Sequence, residues 1–167
     1  MMEKRKITLQ DRDALERLIA EVENSLKNEY FWLPIKEEAR KHFFDDEWTE
    51  FYGVFQEGEL IAAIALFLNE YEYGESLKQL NSKEKKVAEL GRAMVHPAYR
   101  GKHLLDPLIK DLLDIARQRG IECVLATIHP ENVPSQRLFQ KAGLEKMCTY
   151  TKDVSYIRDV YVIRLKQ

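Results

Sequence analysis

The residues of this chain best suited to chemistry fall in two stretches. The first runs Val95-His96-Pro97-Ala98-Tyr99-Arg100-Gly101-Lys102-His103-Leu104-Leu105. An apolar run ends there, a short basic loop follows, and a helical pattern begins. The unpaired N–H groups at a helix N-terminus, together with the helix dipole, favour an anion. Arg100 and Lys102 add two positive charges at the same place, and a pyrophosphate is the natural guest. A plain strand-to-helix turn with solvated charges is the simpler alternative. The second stretch runs from His129-Pro130-Glu131-Asn132 through Ser135 and Phe139 to Gly143-Leu144, and it too links a strand to a helix. Taken singly, Asn132 and Ser135 read as helix caps.

The elements that must position these stretches follow from hydrophobic spacing. Arg5 to Leu9 reads as a first strand. Ala14, Leu15, Leu18, Ile19, Val22 and Leu26 then form the apolar stripe of a helix, with Asp11 as its cap. A short helix is expected after Pro34, with Ala39 and Phe43 facing inward. Trp48 to Phe55 and Leu60 to Leu68 read as a hairpin joined by Gln56-Glu57-Gly58-Glu59, its second strand covered on both faces. Asn69 to Lys86 reads as a charged loop with one short helix around Ser76 to Leu80, and Lys83 to Lys86 as solvent-facing. Val87 to Val95 is a strand. Leu104 to Arg119 is an amphipathic helix stopped by Gly120. Ile121 to Ile128, Leu144 to Tyr150 and Tyr156 to Leu165 complete the strands, and Ser135 to Ala142 is a last helix. The order implies an α/β fold: a mixed, mostly antiparallel central sheet of about seven strands flanked by helices.

Composition narrows the function classes. A chain of 167 residues with 45% hydrophobic and 32% charged side chains suits one soluble domain spanning 1-167. No linker, repeat or low-complexity tract divides it. A net charge of −2 offers no global attraction to nucleic acid. Leu60 to Leu68, the longest apolar run, is far short of the roughly 20 residues that span a bilayer. No apolar signal segment follows Met1 to Lys6. Cys123 and Cys148 have neither metal-ligand nor redox spacing and read as two inert, partly buried thiols. A cytoplasmic chain with no metal, no nucleic acid and no membrane partner is expected, as monomer or homodimer.

Together the two stretches resemble the GNAT superfamily of acyl-CoA-dependent N-acetyltransferases. Arg100-Gly101-Lys102 matches the start of its phosphate-loop motif. Asn132, Ser135, Phe139 and Gly143 match its second motif in type and spacing. The element order resembles the family along nearly the whole chain. The resemblance implies acetyl-CoA as co-substrate, with Met94 and Val95 against the pantetheine. Backbone N–H groups from Arg100 and Gly101 through Lys102, His103 and Leu104 to Leu105 would lie on the pyrophosphate. Asn132, Ser135 and Phe139 would border the thioester end, and an N–H near Val95 would polarise its carbonyl.

The resemblance also suggests a base. Glu89 stands eleven residues before Arg100, where several protein-acetylating members carry a glutamate. In a regular strand Glu89, Gly91 and Ala93 share one face, and burial would raise the Glu89 pKa. The alternative is a strand carboxylate paired with Arg92 or a lysine. Three residues depart from the family pattern. His103 and Leu105 stand where glycine or a small residue is usual, and Pro107 with Asp106 as a cap suggests a helix that starts late. Phe139 replaces a tyrosine that protonates the departing thiolate in many members. Tyr150 and Tyr156 are the possible substitutes. His96 and His129 read as loop hydrogen-bonders. Tyr30, Phe31, Trp32, Tyr71 and Tyr73 flank the segments that would line the acceptor pocket.

The function this implies is transfer of an acetyl group to a primary amine of a small molecule or amino-acid derivative by direct attack. A protein lysine or N-terminal amine is the alternative acceptor, and a non-catalytic CoA-binding sensor the alternative class. An open groove beside the 69–86 segment would favour a protein; a closed aromatic pocket would favour a small molecule.

Overall fold

The computed structural model describes residues 1–166; Gln167, the last residue of the expected 1–167 domain, lies outside the described residues. Seven strands form one sheet in the order β1-β2-β3-β4-β5-β7-β6. They are β1 (Met2–Lys6), β2 (Thr49–Gln56), β3 (Glu59–Phe67), β4 (Val87–Val95), β5 (Cys123–Ile128), β6 (Glu145–Lys152) and β7 (Tyr156–Arg164). Every neighbouring pair is antiparallel except β4 and β5. The helices are α1 (Arg12–Asn24), α2 (Glu37–Lys41), α3 (Glu70–Gln79), α4 (Leu105–Gln118) and α5 (Val133–Lys141). No helix among the described residues is long and apolar enough to cross a membrane.

Strand alternation divides the core between two faces of the sheet. Ile64 and Leu66 of β3 and Ala88 and Leu90 of β4 point to one face, where Leu108, Ile109 and Leu112 of α4 cover them together with Phe139 of α5. Ala63, Ala65 and Phe67 point the other way, against Leu15, Leu18, Ile19 and Val22 of α1. Farther along that second face, Tyr73, Leu77 and Leu80 of the α3 region pack on Val87, Cys123, Leu125, Val160 and Val162. β3 is buried from Leu60 to Phe67, as its unbroken apolarity requires. The β2–β3 turn uses Glu57 (φ 51°) and Gly58 (φ 84°), two left-handed residues of the kind that match strand twist.

The structure corrects several expectations. The first strand ends at Lys6 rather than running from Arg5 to Leu9. It is an edge strand paired from Met2–Gln56 to Lys6–Tyr52, so backbone pairing and not apolarity defines it. Asp11 precedes α1 but does not cap it through its side chain. Its carboxylate turns back to accept from the Thr8 N–H at 2.8 Å and from Arg5 at 2.9 Å, and Arg5 holds its pKa below the usual carboxylate range. The 69–86 segment carries a longer and earlier helix than expected, because Asn69 caps α3 by accepting from the Tyr71 N–H at 2.9 Å. α4 starts at Leu105 and not late. Pro107 lies within its first turn, where proline is tolerated. Asp106 lies inside the helix instead of capping it, and its carboxylate takes the Lys141 ammonium at 2.6 Å.

Candidate active site

β4 and β5 pair only at Val87–Cys123, Ala88–Val124 and Glu89–Leu125, and then part. Beyond Glu89 the β5-facing edge of β4 has no strand partner, while its other edge stays bonded to β3 as far as Val95. The result is a fork in the middle of the sheet, closed at Glu89 and opening toward the loop that leads into α4.

A bulge lies inside that fork. Ala63 faces Met94 and Ala65 faces Gly91, so β4 carries one extra residue against β3. Arg92 absorbs it with φ 53°, a left-handed conformation that costs a non-glycine residue about 1 kcal/mol or more. The expected sharing of one face by Glu89, Gly91 and Ala93 therefore fails. Glu89 and Gly91 stay on the α1–α3 face, but Ala93 has switched to the α4 face. Met94 is buried on the α1 side and Val95 is half-buried toward α4, so what both present to the fork is backbone.

At the open end, Pro97–Tyr99 forms a single helical turn and the chain then passes through Gly101 (φ 79°) and His103 (φ 56°). The backbone N–H groups from Gly101 to Leu105 have no acceptor among the described residues. Such successive amides ahead of a helix form a concavity for an anion. Gly101 has open space around it and needs no side chain there. His103 holds a left-handed conformation despite its Cβ, and its exposed ring stands 3.7 Å from Asp106. The Arg100 guanidinium donates to the Ser25 hydroxyl at 2.8 Å, and the Lys102 ammonium lies 5.4 Å from the Tyr99 ring centre. Both cations stay at the surface beside the free amides.

The second stretch borders the other prong. Asn132 caps α5, its carbonyl oxygen accepting from the Ser135 N–H at 3.4 Å. Ser135 is half-buried. Phe139 is 4% exposed, its ring committed to the core under α4. His96 and His129 each accept a loop N–H at 3.1 Å, from Ala98 and Glu131. A groove of about 420 Å³ between α4 and α5 begins beside Asp106 and is flanked by Lys110 and Lys141.

The α1–α3 face of the fork holds charged side chains. Glu89 is 6% exposed, and its carboxylate makes no hydrogen bond or ion pair among the described residues. Burial pushes its pKa up to about 8, with Glu72 adding repulsion and Lys152 and Arg92 opposing the rise. The alternative of a carboxylate paired directly with Arg92 is absent. Arg92 instead donates to the Leu33 and Pro34 carbonyls and lies over the Trp32 ring at 4.9 Å. Burial raises the Glu72 pKa as well. Tyr150 shares a hydrogen bond of 2.6 Å with Ser76 of α3, and burial pushes its pKa up to about 12.

Aromatic contacts cover this face. The 28–34 segment lies across it: Tyr30 meets Tyr156 at 5.7 Å between ring centres, Phe31 meets His129 at 4.8 Å, and Trp32 covers Arg92. The sequence singles out Glu89, Tyr150 and these aromatics as candidates; it does not single out Glu72, Arg92 as a buried neighbour, Lys152 or Arg158, which the structure places on the same face. Arg158 had one available signal, since it shares strand parity with the apolar Val160 and Val162. No cluster of His, Cys, Asp or Glu among the described residues could hold a metal ion. Cys123 and Cys148 are free, and burial raises both pKa values, that of Cys123 to about 11.

Comparison with known proteins adds a family and a fold. The model of the acetyltransferase (GNAT) family matches residues 15–144. No curated protein matches the chain. A probable acetyltransferase from Staphylococcus epidermidis superposes with a TM-score of 0.75 at 16% identity, over 99% of this chain and 100% of the other. The ribosomal-protein-S18-alanine N-acetyltransferase of Escherichia coli gives 0.72 at 13% identity, over 100% and 96%. An N-acyl amino acid synthase from uncultured soil microbes gives 0.75 at 14%, over 98% and 91%. At these identities the structural likeness establishes the fold alone.

Proposed function

The chain belongs to the GNAT family of acetyltransferases, and from that premise we propose that it moves an acetyl group from acetyl-CoA to a primary amine of a small molecule. The observation that carries this reading is the fork itself. An unpaired β4 edge runs from a buried, unpartnered Glu89 to a loop of free amides. Acetyl-CoA supplies the activated acyl thioester when bound. The residues present fit it: the amides of Gly101 to Leu105 suit a pyrophosphate, with Arg100 and Lys102 beside them. The β4 edge at Met94 and Val95 offers backbone groups to an amide-bearing arm. Asn132 and Ser135 border the other prong.

Glu89 is the general base. A carboxylate with its pKa near 8 is matched to a proton from an attacking amine, which reaches it directly or through one water. The new bond joins amine nitrogen to acyl carbon while the carbon–sulfur bond breaks, and Glu89 passes its proton to solvent. An N–H on the β4 edge near Val95 polarises the acyl oxygen. Phe139 cannot protonate the leaving thiolate. Tyr150, at about 12, is a much weaker acid than a thiol of about 8.5. Its hydroxyl orders the site through Ser76, and the thiolate leaves as the anion.

The acceptor end supports a small molecule over a protein. α3 is tied onto the sheet by the Ser76–Tyr150 bond, and the 28–34 aromatics close the face that a polypeptide would need open. A cytoplasmic site of action, where acetyl-CoA is supplied, goes with the reading. The test is CoA release from acetyl-CoA across a panel of small amines, with Glu89→Gln as control. Turnover that the variant loses supports the proposal. Acetyl-CoA binding without turnover on any amine or peptide would leave the sensor reading in its place.

A further inference from the structure

Arg158 is 3% exposed, and no other arginine or lysine among the described residues is buried as deeply. Its guanidinium donates one hydrogen bond, from Nη1 to the neighbouring Ile157 carbonyl at 2.8 Å. Its remaining N–H donors have no protein acceptor, and no carboxylate pairs with it among the described residues. Asp159, the adjacent acid, points to the opposite face of β7, where it takes the Thr149 hydroxyl at 2.6 Å and the Lys146 ammonium at 3.5 Å. A buried cation without a partner destabilises a fold, so this one calls for an anion that the protein itself does not supply.

Its surroundings place Arg158 on the acceptor face of the fork, level with the tip of the β5 prong, since its neighbour Asp159 pairs with Ile128. It lies on the Glu89 face of the sheet, 5.6 Å from the centre of the Tyr156 ring and opposite Tyr150 in the β6–β7 register. The Tyr150 hydroxyl is within electrostatic reach of both Glu89 and Arg158, and Arg92 is within reach of Arg158. Arg92 is spent on two backbone carbonyls and is also without an ion pair. Lys152 adds a positive charge near Glu89, whose own pKa burial raises to about 8. The buried guanidinium of Arg158, with N–H donors to spare, suits a carboxylate, which a guanidinium fork binds with two parallel hydrogen bonds.

We propose that Arg158 anchors a carboxylate on the acceptor, so that the preferred substrates are amines that also carry a carboxylate, such as free amino acids. This rests on the acetyl-transfer reading and adds a specificity determinant to it. Arg158 holds the acid end, and the amine is left facing Glu89 and the β4 edge. The chemistry at nitrogen is unchanged.

The test compares matched acceptors. CoA release is measured for the free L-amino acids, their carboxamides and the corresponding decarboxylated amines, with the wild type, Arg158→Gln and Arg158→Lys. The expected result is a kcat/KM at least tenfold higher for acids than for their amides. Arg158→Gln should raise KM for the acids tenfold or more with kcat little changed and the amides unaffected, and Arg158→Lys should restore part of the loss. Thermal shift by the acids and amides in the presence of CoA gives a second readout that needs no turnover, and the melting temperature of each variant alone reports its folding. Equal use of acids and amides, or an Arg158→Gln variant unchanged in both readouts, overturns the carboxylate anchor while leaving acetyl transfer standing. Failure of acetyl-CoA itself to bind would instead overturn the acetyl-transfer reading.

Discussion

At the open end of the fork the candidate binding groups are backbone amides on an exposed turn, whereas on the α1–α3 face they are charged side chains buried among aromatic rings. Gly101 to Leu105 offer N–H groups whatever their side chains, so under the proposed function that end would tolerate His103 and Leu105 where small residues are usual. Glu89, Arg92 and Arg158 offer only side chains, whose protonation and partners are set by burial. A substitution should therefore matter little at the first end and much at the second. Under the proposed function the amide loop is generic chemistry held by backbone, and the charged α1–α3 face is where this chain is particular.

The largest expected effect is at Glu89. Glu89→Gln should lower kcat/KM for any accepted amine by roughly 10²–10⁴-fold, the usual worth of a positioned base. The same change should stabilise the fold in alkali. The folded protein holds the Glu89 proton up to about pH 8 and the unfolded chain releases it near 4.5. This group's contribution to stability is therefore full below about 4.5 and is lost as pH rises to 8. Glu89→Gln removes that loss, so at pH 9 its melting temperature should exceed the wild type's, with the difference vanishing near pH 4. An active variant, or one less stable at pH 9, would break the contrast between the two ends.

Arg100→Ala comes next. Losing one surface cation beside the amides should weaken acetyl-CoA binding about tenfold, less at high salt, with kcat unchanged. A complete loss of binding would mean that side chains, not amides, hold the phosphates. Tyr150→Phe removes a hydroxyl that bonds Ser76 at 2.6 Å and should lower kcat only about threefold, since its pKa of about 12 makes it a poor acid. A hundredfold loss would restore Tyr150 as the thiolate's proton donor. His103→Gly should have the smallest effect. The backbone at φ 56° suits glycine, and the relief of about 1 kcal/mol is offset by glycine's greater unfolded-state entropy. Its melting temperature should stay within about 2 °C of the wild type, with acetyl-CoA binding equal or slightly tighter.

The sequence was informative where structure is local. The β4 strand from Val87 to Val95, the tight β2–β3 turn and the stripe of α4 could be read from period and turn residues. So could the two loop-to-helix stretches, because their signal lies within a few residues. The α1–α3 face of the fork depends on contacts across the sheet. The bulge at Arg92 carries no glycine to announce it, and it moved Ala93 to the other face. Arg158 and Asp159 look like a solvent-facing pair, yet both are buried on opposite faces of β7. Asn69 caps and so lengthens α3, and in the sequence the charge of the segment that follows masks that signal.

The most direct test of the account is isothermal titration of the protein with acetyl-CoA, without acceptor. The account predicts saturable one-to-one binding in the micromolar range, weakened about tenfold by Arg100→Ala. It also predicts no change with Arg158→Gln, because the two ends of the fork act separately. The absence of any binding heat, confirmed by the absence of a thermal shift, would contradict it. The free amides of the loop would then be an ordinary surface turn, and the fork would not be a cofactor site.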